Sequence, residues 1–332
     1  MTTPRRQPGR SAPSAAVPAA GGVLVLNLNF SVDKTASVPE FERSRVYRFA
    51  STISLPGGKG VNVSRALREL GLPSRLAGFA AGHNGRWIEE ALAANGFDAC
   101  VERHEAGESR MCLTVVDAAG ASMDFNEEGP AVPAASQARL LSVYRRRLLP
   151  GARVLAVCGR TPAGLARGFY AELVRAAAAR GCFAAFDVSG PALAEAVGSG
   201  ADAVKINRDE FAELAGARFT PARFREYFSA RLPRGLQTLI VTGGPDLTWA
   251  ATPFGLWRVT PPALPAVKSP VGAGDSFMAG FVFGYYSGCD FEWTLALGAG
   301  AAASDCLSLG AGFIRRKEAL AYARKARVEK IA

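Results

Sequence analysis

The stretch Val271-Gly272-Ala273-Gly274-Asp275-Ser276 sets a carboxylate directly after two glycines that flank a small alanine. The apolar residues Phe277, Phe281, Val282 and Tyr285 then recur at helical spacing, so the glycines mark the point where an extended, Pro-rich segment (260–270) turns into a helix N-terminus. Backbone N–H groups at Gly272, Ala273 and Gly274 are left uncovered by side chains, and the helix dipole adds partial positive charge at the same place, which makes an anion cradle. Asp275 is a candidate base facing a substrate hydroxyl beside that cradle. Helix capping alone would also account for an acid at this position.

A second glycine-rich turn, Pro56-Gly57-Gly58-Lys59-Gly60-Val61-Asn62, runs into a helix whose apolar face is Val63, Ala66, Leu67 and Leu70 and which stops at Gly71. Its spacing is not that of a Walker A loop, since no Gly-Lys-Ser/Thr follows the required gap. Gly58 and its neighbours offer bare backbone donors, Lys59 a cation and Asn62 an amide one turn on. That set suits a polyhydroxylated or phosphorylated ligand; a turn with a surface lysine is the plainer reading. Asp33, in Asn29-Phe30-Ser31-Val32-Asp33, is read as lying just past the end of the first strand, where open α/β sheets bind ligands.

The elements that must position these groups follow a βα rhythm. Strands are predicted at 23–28, 76–79, 154–158, 183–187, 203–206 and 238–242, with helices at 85–95, 168–180, 193–198 and 208–215. Such alternation predicts a mostly parallel sheet covered on both faces, in one domain spanning about residues 23–326. The loosely alternating stretches at 41–55, 109–116 and 121–125 break the rhythm and are expected to form a small sheet projecting from it. Polar loops follow the main strands: Cys158-Gly159-Arg160-Thr161-Pro162, Asp187-Val188-Ser189-Gly190, Lys205-Ile206-Asn207-Arg208-Asp209-Glu210, and Thr242-Gly243-Gly244-Pro245. In the third, Asn207 and Glu210 fit a capping box, and equally an amide and a carboxylate organising a hydrated Mg²⁺ beside phosphates, with Lys205 nearby.

Composition narrows the classes. The chain has 332 residues, enough for a sizeable core, and a formal net charge of +10. Arg5, Arg6 and Arg10 lie in an acid-free first segment rich in Pro, Ala and Ser, and residues 1–22 are expected to be a disordered tail without the apolar run of a signal peptide. The clusters 145–147 and 315–317 lack the interleaved aromatics of a nucleic-acid groove. The six cysteines show no C-x-x-C pair and read as buried thiols in a reducing compartment. No apolar run reaches membrane-spanning length, so a cytoplasmic protein with neither nucleic-acid nor membrane partners is expected. His83 and His104 are the only histidines, and neither forms a pair such as H-E-x-x-H, which excludes a classical metal hydrolase.

Taken together, the segments resemble the ribokinase-like (PfkB) carbohydrate kinases over about residues 23–315. Gly-Gly-Lys-Gly-Val-Asn-Val-Ser-Arg (57–65) and Val-Gly-Ala-Gly-Asp-Ser (271–276) are the most specific matches; Asn207-Arg208-Asp209-Glu210 fits the family's N-x-x-E magnesium motif, and Asp33 its substrate-binding aspartate. Gly-Glu-Ser-Arg (107–110), Asn126-Glu127-Glu128-Gly129-Pro130 and Asp187-Val188-Ser189-Gly190 are similar to the branch acting on phosphorylated hexoses, 1-phosphofructokinase and tagatose-6-phosphate kinase. The resemblance implies a three-layer α/β/α fold with a projecting β-sheet lid (strands about 34–55 and 107–126), and a dimer through that lid. It implies ATP and Mg²⁺, with the γ-phosphate passed to a sugar-phosphate hydroxyl and Asp275 as base over Gly272, Ala273 and Gly274. Asp33, Gly58, Lys59 and Asn62 would orient the sugar, and Arg110 and Lys59 would hold its phosphate; Arg160 would either add to that phosphate site or reshape the sugar site. Lys205, Asn207, Thr242 and Gly244 would lie along the nucleotide, with Asn207 and Glu210 near the metal. Three positions depart from the pattern: Arg160 stands where a small hydroxyl residue is usual, Leu247 replaces the second glycine of the nucleotide loop, and Ile206 replaces a proline. The alternatives are a family member acting on an unphosphorylated sugar or nucleoside, and a non-catalytic sugar-phosphate sensor.

Overall fold

The computed structural model describes residues 22–331, apart from 43 and 120. The predicted tail therefore lies outside the described residues, except that Gly22 already belongs to the first strand. In chain order the elements are β1 (Gly22–Leu26), β2 (Ser31–Ser37), β3 (Thr52–Gly57), α1 (Lys59–Glu69), β4 (Ser74–Ala81), α2 (Gly82–Ala94), β5 (Asp98–His104), β6 (Met111–Val116), β7 (Ser122–Asn126) and α3 (Ala134–Val143), which runs on into a π-turn at Tyr144–Leu148. Next come β8 (Ala152–Cys158), α4 (Phe169–Ala178), β9 (Phe183–Asp187), α5 (Pro191–Gly198), β10 (Ala203–Asn207), α6 (Arg208–Ala215) and α7 (Pro221–Ser229). The chain closes with β11 (Thr238–Thr242), β12 (Thr248–Thr252), β13 (Gly255–Thr260), α8 (Ala273–Tyr286), α9 (Phe291–Asp305), α10 (Arg316–Lys325) and β14 (Arg327–Lys330).

Ten strands form one sheet in the order β14-β13-β12-β11-β10-β9-β8-β1-β4-β5. From β5 to β11 every pairing is parallel; β12, β13 and β14 continue it antiparallel. Strict alternation along the central strands splits the core in two. Val23 and Val25 of β1 pack with α1, α8, α9 and α10, whereas Leu24 and Leu26 pack with α3 to α7 on the other face. Apolar residues on both sides of a strand require helices on both sides of the sheet, and this gives three layers. From β1 the chain moves first to β4 and later, on the opposite side, to β8, so the crevice between β1 and β8 is the topological switch point where ligands bind in such sheets.

The small sheet has the order β3-β2-β6-β7, with β2 and β6 parallel and the other pairs antiparallel. Two expectations are corrected here. Among the described residues of the stretch 41–55, only 52–55 are strand, opening β3. Asp33 does not sit in a loop; it lies inside β2, a strand the sequence hid because Ser31, Asp33, Lys34 and Thr35 leave no apolar run. Helix α8 is a third difference. The sequence showed one apolar face, but nearly the whole helix is buried, packed against α1 and α9.

All six cysteines are free; Cys158, Cys182 and Cys289 are buried, and Cys100, Cys112 and Cys306 only half so. Among the described residues no helix is long and apolar enough to cross a membrane.

Candidate active site

The first turn of α8 points into the crevice. Gly272 precedes it at φ +89°, a left-handed backbone that glycine adopts without strain; of the three N–H groups expected to be uncovered, that of Ala273 instead donates to Pro270 O at 3.2 Å, because the turn closes on itself before the helix begins. Asp275 is 6% exposed, and its Oδ2 accepts a 2.9 Å hydrogen bond from Nδ2 of Asn62 on α1. Burial pushes its carboxyl up to about 6, against the pull of the Lys59 ammonium; the Asp187 carboxylate adds to the rise. A carboxylate poised there is largely ionised at neutral pH and still basic enough to accept a proton.

Around Asp275 the sheet delivers a charge relay of fixed groups. Asp187, at the end of β9 and fully buried, receives Lys205 Nζ at 2.5 Å and Lys59 Nζ at 3.3 Å. Burial opposes its ionisation, but the two ammonium groups outweigh that and hold it below the usual carboxylate range. In turn Asp187, and less strongly Asp275, raises the Lys59 pKa well above the ordinary lysine value. Lys59 Nζ also lies 4.0 Å from Glu210 Oε1. Lys205 Nζ stands beneath the cradle: a Cβ built on Gly274 would be 3.1 Å from it. Two cations, one shared carboxylate and one freestanding carboxylate thus occupy the carboxyl ends of β9 and β10 and the starts of α1 and α8.

The second glycine turn is shaped by Asn27, buried just after β1. Its amide donates to Gly57 O at 3.3 Å, and its Oδ1 accepts from Gly60 N at 3.1 Å. Asp33 lies across Gly57, the last residue of the neighbouring strand β3, where a Cβ would be only 2.0–2.2 Å from the carboxylate, so the carboxylate can lie over the end of β3 only because a glycine stands there. Ser31 Oγ donates to Asp33 Oδ1 at 2.6 Å. Gly58 precedes α1 at φ +109°. Arg65, one turn beyond Asn62, donates to Asn62 Oδ1 at 3.0 Å and to Ala311 O at 2.6 Å, fixing the amide so that its NH₂ faces Asp275.

At the carboxyl end of β10 Asn207 and Glu210 form a reciprocal capping box, with both hydrogen bonds at 2.8 Å. Thr242 Oγ1 donates to Ile206 O at 3.2 Å, and Gly244 turns the loop at φ +63° with open space beside it. Arg208 braces that loop through Asp246 at 3.0 Å and Leu247 O at 3.3 Å. On the lid side, Arg160 pairs with Glu128 at 3.0 Å, both exposed. Arg110 packs against Gly129, and its Nε is buried without a partner. Of the residues singled out from sequence, Lys59 and Lys205 meet on Asp187, Asn62 holds Asp275 beside them, and Glu210, tied to Asn207, lies near Lys59; among the described residues no hydrogen bond or ion pair joins Arg110 or Arg160 to that cluster.

A fold of this topology, with two glycine turns aimed at one buried carboxylate, invites comparison with known proteins. Residues 28–317 match the pfkB family of carbohydrate kinases. The chain belongs to that family. This pfkB kinase is 32% identical over 281 residues to 1-phosphofructokinase of Rhodobacter capsulatus, covering 83% of this chain and 87% of that protein. It is 29% identical over 266 residues to tagatose-6-phosphate kinase of Staphylococcus epidermidis, covering 79% and 84%. The crystal structure of a possible 1-phosphofructokinase from Thermotoga maritima superposes with a TM-score of 0.83 at 25% identity, covering 93% of this chain and 99% of that one. The pfkB kinase is accordingly a phosphotransferase acting on a sugar hydroxyl, of the kind that uses ATP with a divalent metal.

Asn27, Asp187, Arg65 and Arg208 were not among the predicted site residues. Three of them carried a signal: Asn27 interrupts the apolar run Val23–Leu28, Asp187 ends a buried strand, and Arg65 lies between Val63 and Ala66 on an otherwise apolar helix face. Among the described residues no group of three His, Cys, Asp or Glu forms a metal cage. The donors present fit an ion held mainly by water and phosphate oxygens, because the capping box occupies Asn207 Oδ1 and Glu210 Oε2 with one hydrogen bond each and leaves their remaining lone pairs, Glu210 Oε1 included, for outer contacts.

Proposed function

We propose that this kinase phosphorylates a hydroxyl of a phosphohexose, as a 1-phosphofructokinase or a tagatose/fructose-6-phosphate kinase. The observation that carries the reading is the buried Asp275, oriented by Asn62 and held near the pH of the cell beside the Gly272–Gly274 cradle. Asp33, Gly58, Lys59 and Asn62 orient the sugar. Asp275 accepts the hydroxyl proton as the sugar oxygen bonds to the γ-phosphorus and the bond to the β-phosphate oxygen breaks, leaving ADP; the proton then passes from Asp275 to solvent. A positioned base of this kind contributes about 10²–10⁴-fold. The N–H groups of Gly272 and Gly274 and the Lys205 ammonium beneath them face the charge on the transferring group, the larger electrostatic share, while Ala273, whose N–H is held by Pro270 O, keeps the turn small. Asn207 and Glu210 would steady the hydrated Mg²⁺, which supplies charge neutralisation across the phosphates. Thr242 and Gly244 line the nucleotide, with Arg208 bracing their loop. Arg110 and Arg160 supply the fixed cations a substrate dianion calls for, in a bidentate geometry that lysine lacks.

Coupled ADP release with ATP and Mg²⁺ tests this against fructose 1-phosphate, fructose 6-phosphate, tagatose 6-phosphate, fructose, ribose and adenosine. Turnover confined to a phosphohexose, with KM raised about tenfold or more by Arg110→Ala, supports the clamp. Turnover on fructose, ribose or adenosine with KM indifferent to Arg110 and Arg160 would refute it.

We further infer a homodimer through the small sheet. Register places Leu113, Met123 and Phe125 on one face, and Met123 and Phe125 are 46% and 57% exposed. A second copy of the same sheet is the partner that closed symmetry offers such a face.

A further inference from the structure

One buried acid is not used by the chemistry above. Asp305 is the last residue of α9, fully buried, and its carboxyl stands directly behind the anion cradle: a Cβ built on Gly272 would fall 2.7 Å from Asp305 Oδ2. Neither oxygen makes a well-formed hydrogen bond. The groups that face it are the Ser276 hydroxyl and the Asp275 carboxylate on α8, and the backbone N–H of Gly312 and Phe313 in the loop that follows α9. On α1, Arg65 senses its charge but directs its hydrogen bonds to Asn62, Ala311 and Pro56. Within its own segment, Cys306 is adjacent, and Ser304 is engaged with Arg315 N and Glu318.

We propose that Asp305 is a positioning residue of the anion cradle that works in its protonated form, so that its ionisation closes the enzyme's activity on the alkaline side. Geometry gives three reasons. The carboxyl sits at the negative end of the α9 dipole, where a second negative charge is disfavoured, and this offsets the pull of the α8 N-terminus in front of it. It has no cation bonded to it, so an ionised form would be an uncompensated buried charge. That charge would lie behind the same N–H groups that must receive a phosphoryl group, and next to the base Asp275, which it would hold protonated. A neutral carboxyl instead completes the wall formed by Gly272 and Ala311. Consistent with this, burial pushes the Asp305 carboxyl up to about 7, with Asp275 adding to the rise.

The inference rests on the kinase reading, and the test separates the two. kcat/KM of the full chain is measured from pH 5.5 to 9 for wild type and Asp305→Asn, with the phosphohexose that turns over. The wild type should show a bell, rising near pH 6 through Asp275 and falling above about pH 7 by roughly tenfold per unit. Asp305→Asn, a neutral isostere, should keep the rising limb and lose the falling one, gaining about thirtyfold over wild type at pH 8.5. An unchanged falling limb in the variant, or a folded variant inactive at every pH, overturns the proposal. Should the variant not fold, calorimetry on Asp275→Asn protein at pH 8, in two buffers of different ionisation heat, decides. Binding of a non-hydrolysable ATP analogue with Mg²⁺ must then take up about one proton, and uptake of none refutes Asp305. Failure of the analogue to bind at any pH would remove the kinase reading, and the proposal with it.

Discussion

Asp275→Asn keeps the Asn62 contact and removes the base, so the expected result is a loss of about 10²–10⁴ in kcat with KM little changed. The sign of the pH effect follows from the raised carboxyl: the base must be ionised, so activity rises as pH passes about 6, and this limb disappears from the residual rate of the variant. Initial rates against pH check both. Gly57→Ala is the sharpest probe of the sugar side. Its Cβ would overlap the Asp33 carboxylate, so kcat/KM should drop at least about tenfold while thermal stability changes little, since Asp33 can swing into the crevice. The residues legible from sequence share a trait: Gly58, Lys59, Asn62 and Gly272–Asp275 sit in contiguous motifs whose types announce a turn and a charge. Asp187 and Asn27 were hidden because their partners come from other segments. Nothing in Phe183–Asp187 by itself says that Lys59 and Lys205 both end on its last carboxylate. Asp305 draws no notice, because the helix it ends has no apolar period to announce it.

At the scale of elements, the parallel strands were readable because each is a short apolar run bounded by polar loops, and β9, α6 and β11 match their predicted bounds. The reading failed where an element is not amphipathic. Helix α9 is a small-residue helix buried nearly throughout, with no period to detect. Strand β2 carries polar residues toward the crevice, and β12 to β14 are antiparallel additions that no βα rhythm anticipates. The α8–α9 contact shows what the small residues are for. A Cβ on Gly280 would meet Leu297 O at 2.3 Å, so these helices touch backbone to backbone. Gly280→Ala should therefore cost about 1–3 kcal/mol in denaturant unfolding, the range for overpacking, despite alanine's better helix propensity. Activity should fall with it, since the cradle is the first turn of the same helix.

For the whole molecule, the two raised carboxyls link stability to pH. Asp275 and Asp305 have folded-state values near 6 and 7, above the unfolded value of about 4. Their contribution is complete below about pH 4 and is lost as pH climbs through 6 and 7. Asp305→Asn should thus raise Tm at pH 8 and do so less, or not at all, at pH 5; calorimetric scans at the two pH values decide it. The predicted dimer gives a second global readout. Phe125→Asp should halve the mass seen by light scattering, and a wild type that is already monomeric at working concentration would refute the interface.

The pairing of β2 with β6 carries a consequence for the order in which the molecule is built. Val32 lies beside Met111 in a parallel pair, and between them the chain lays down β3, α1, β4, α2 and β5. Parallel neighbours so far apart in sequence close a long loop before any contact repays its entropy. The small sheet can form only once that half of the main sheet has assembled and brought its two ends together. Asp33, which rides on β2, is then the last of the ligand-facing groups to arrive. Refolding followed by pulsed hydrogen exchange should show Val25 and Leu76 amides protected before those of Val32 and Leu113, and sugar binding should appear only with the later phase.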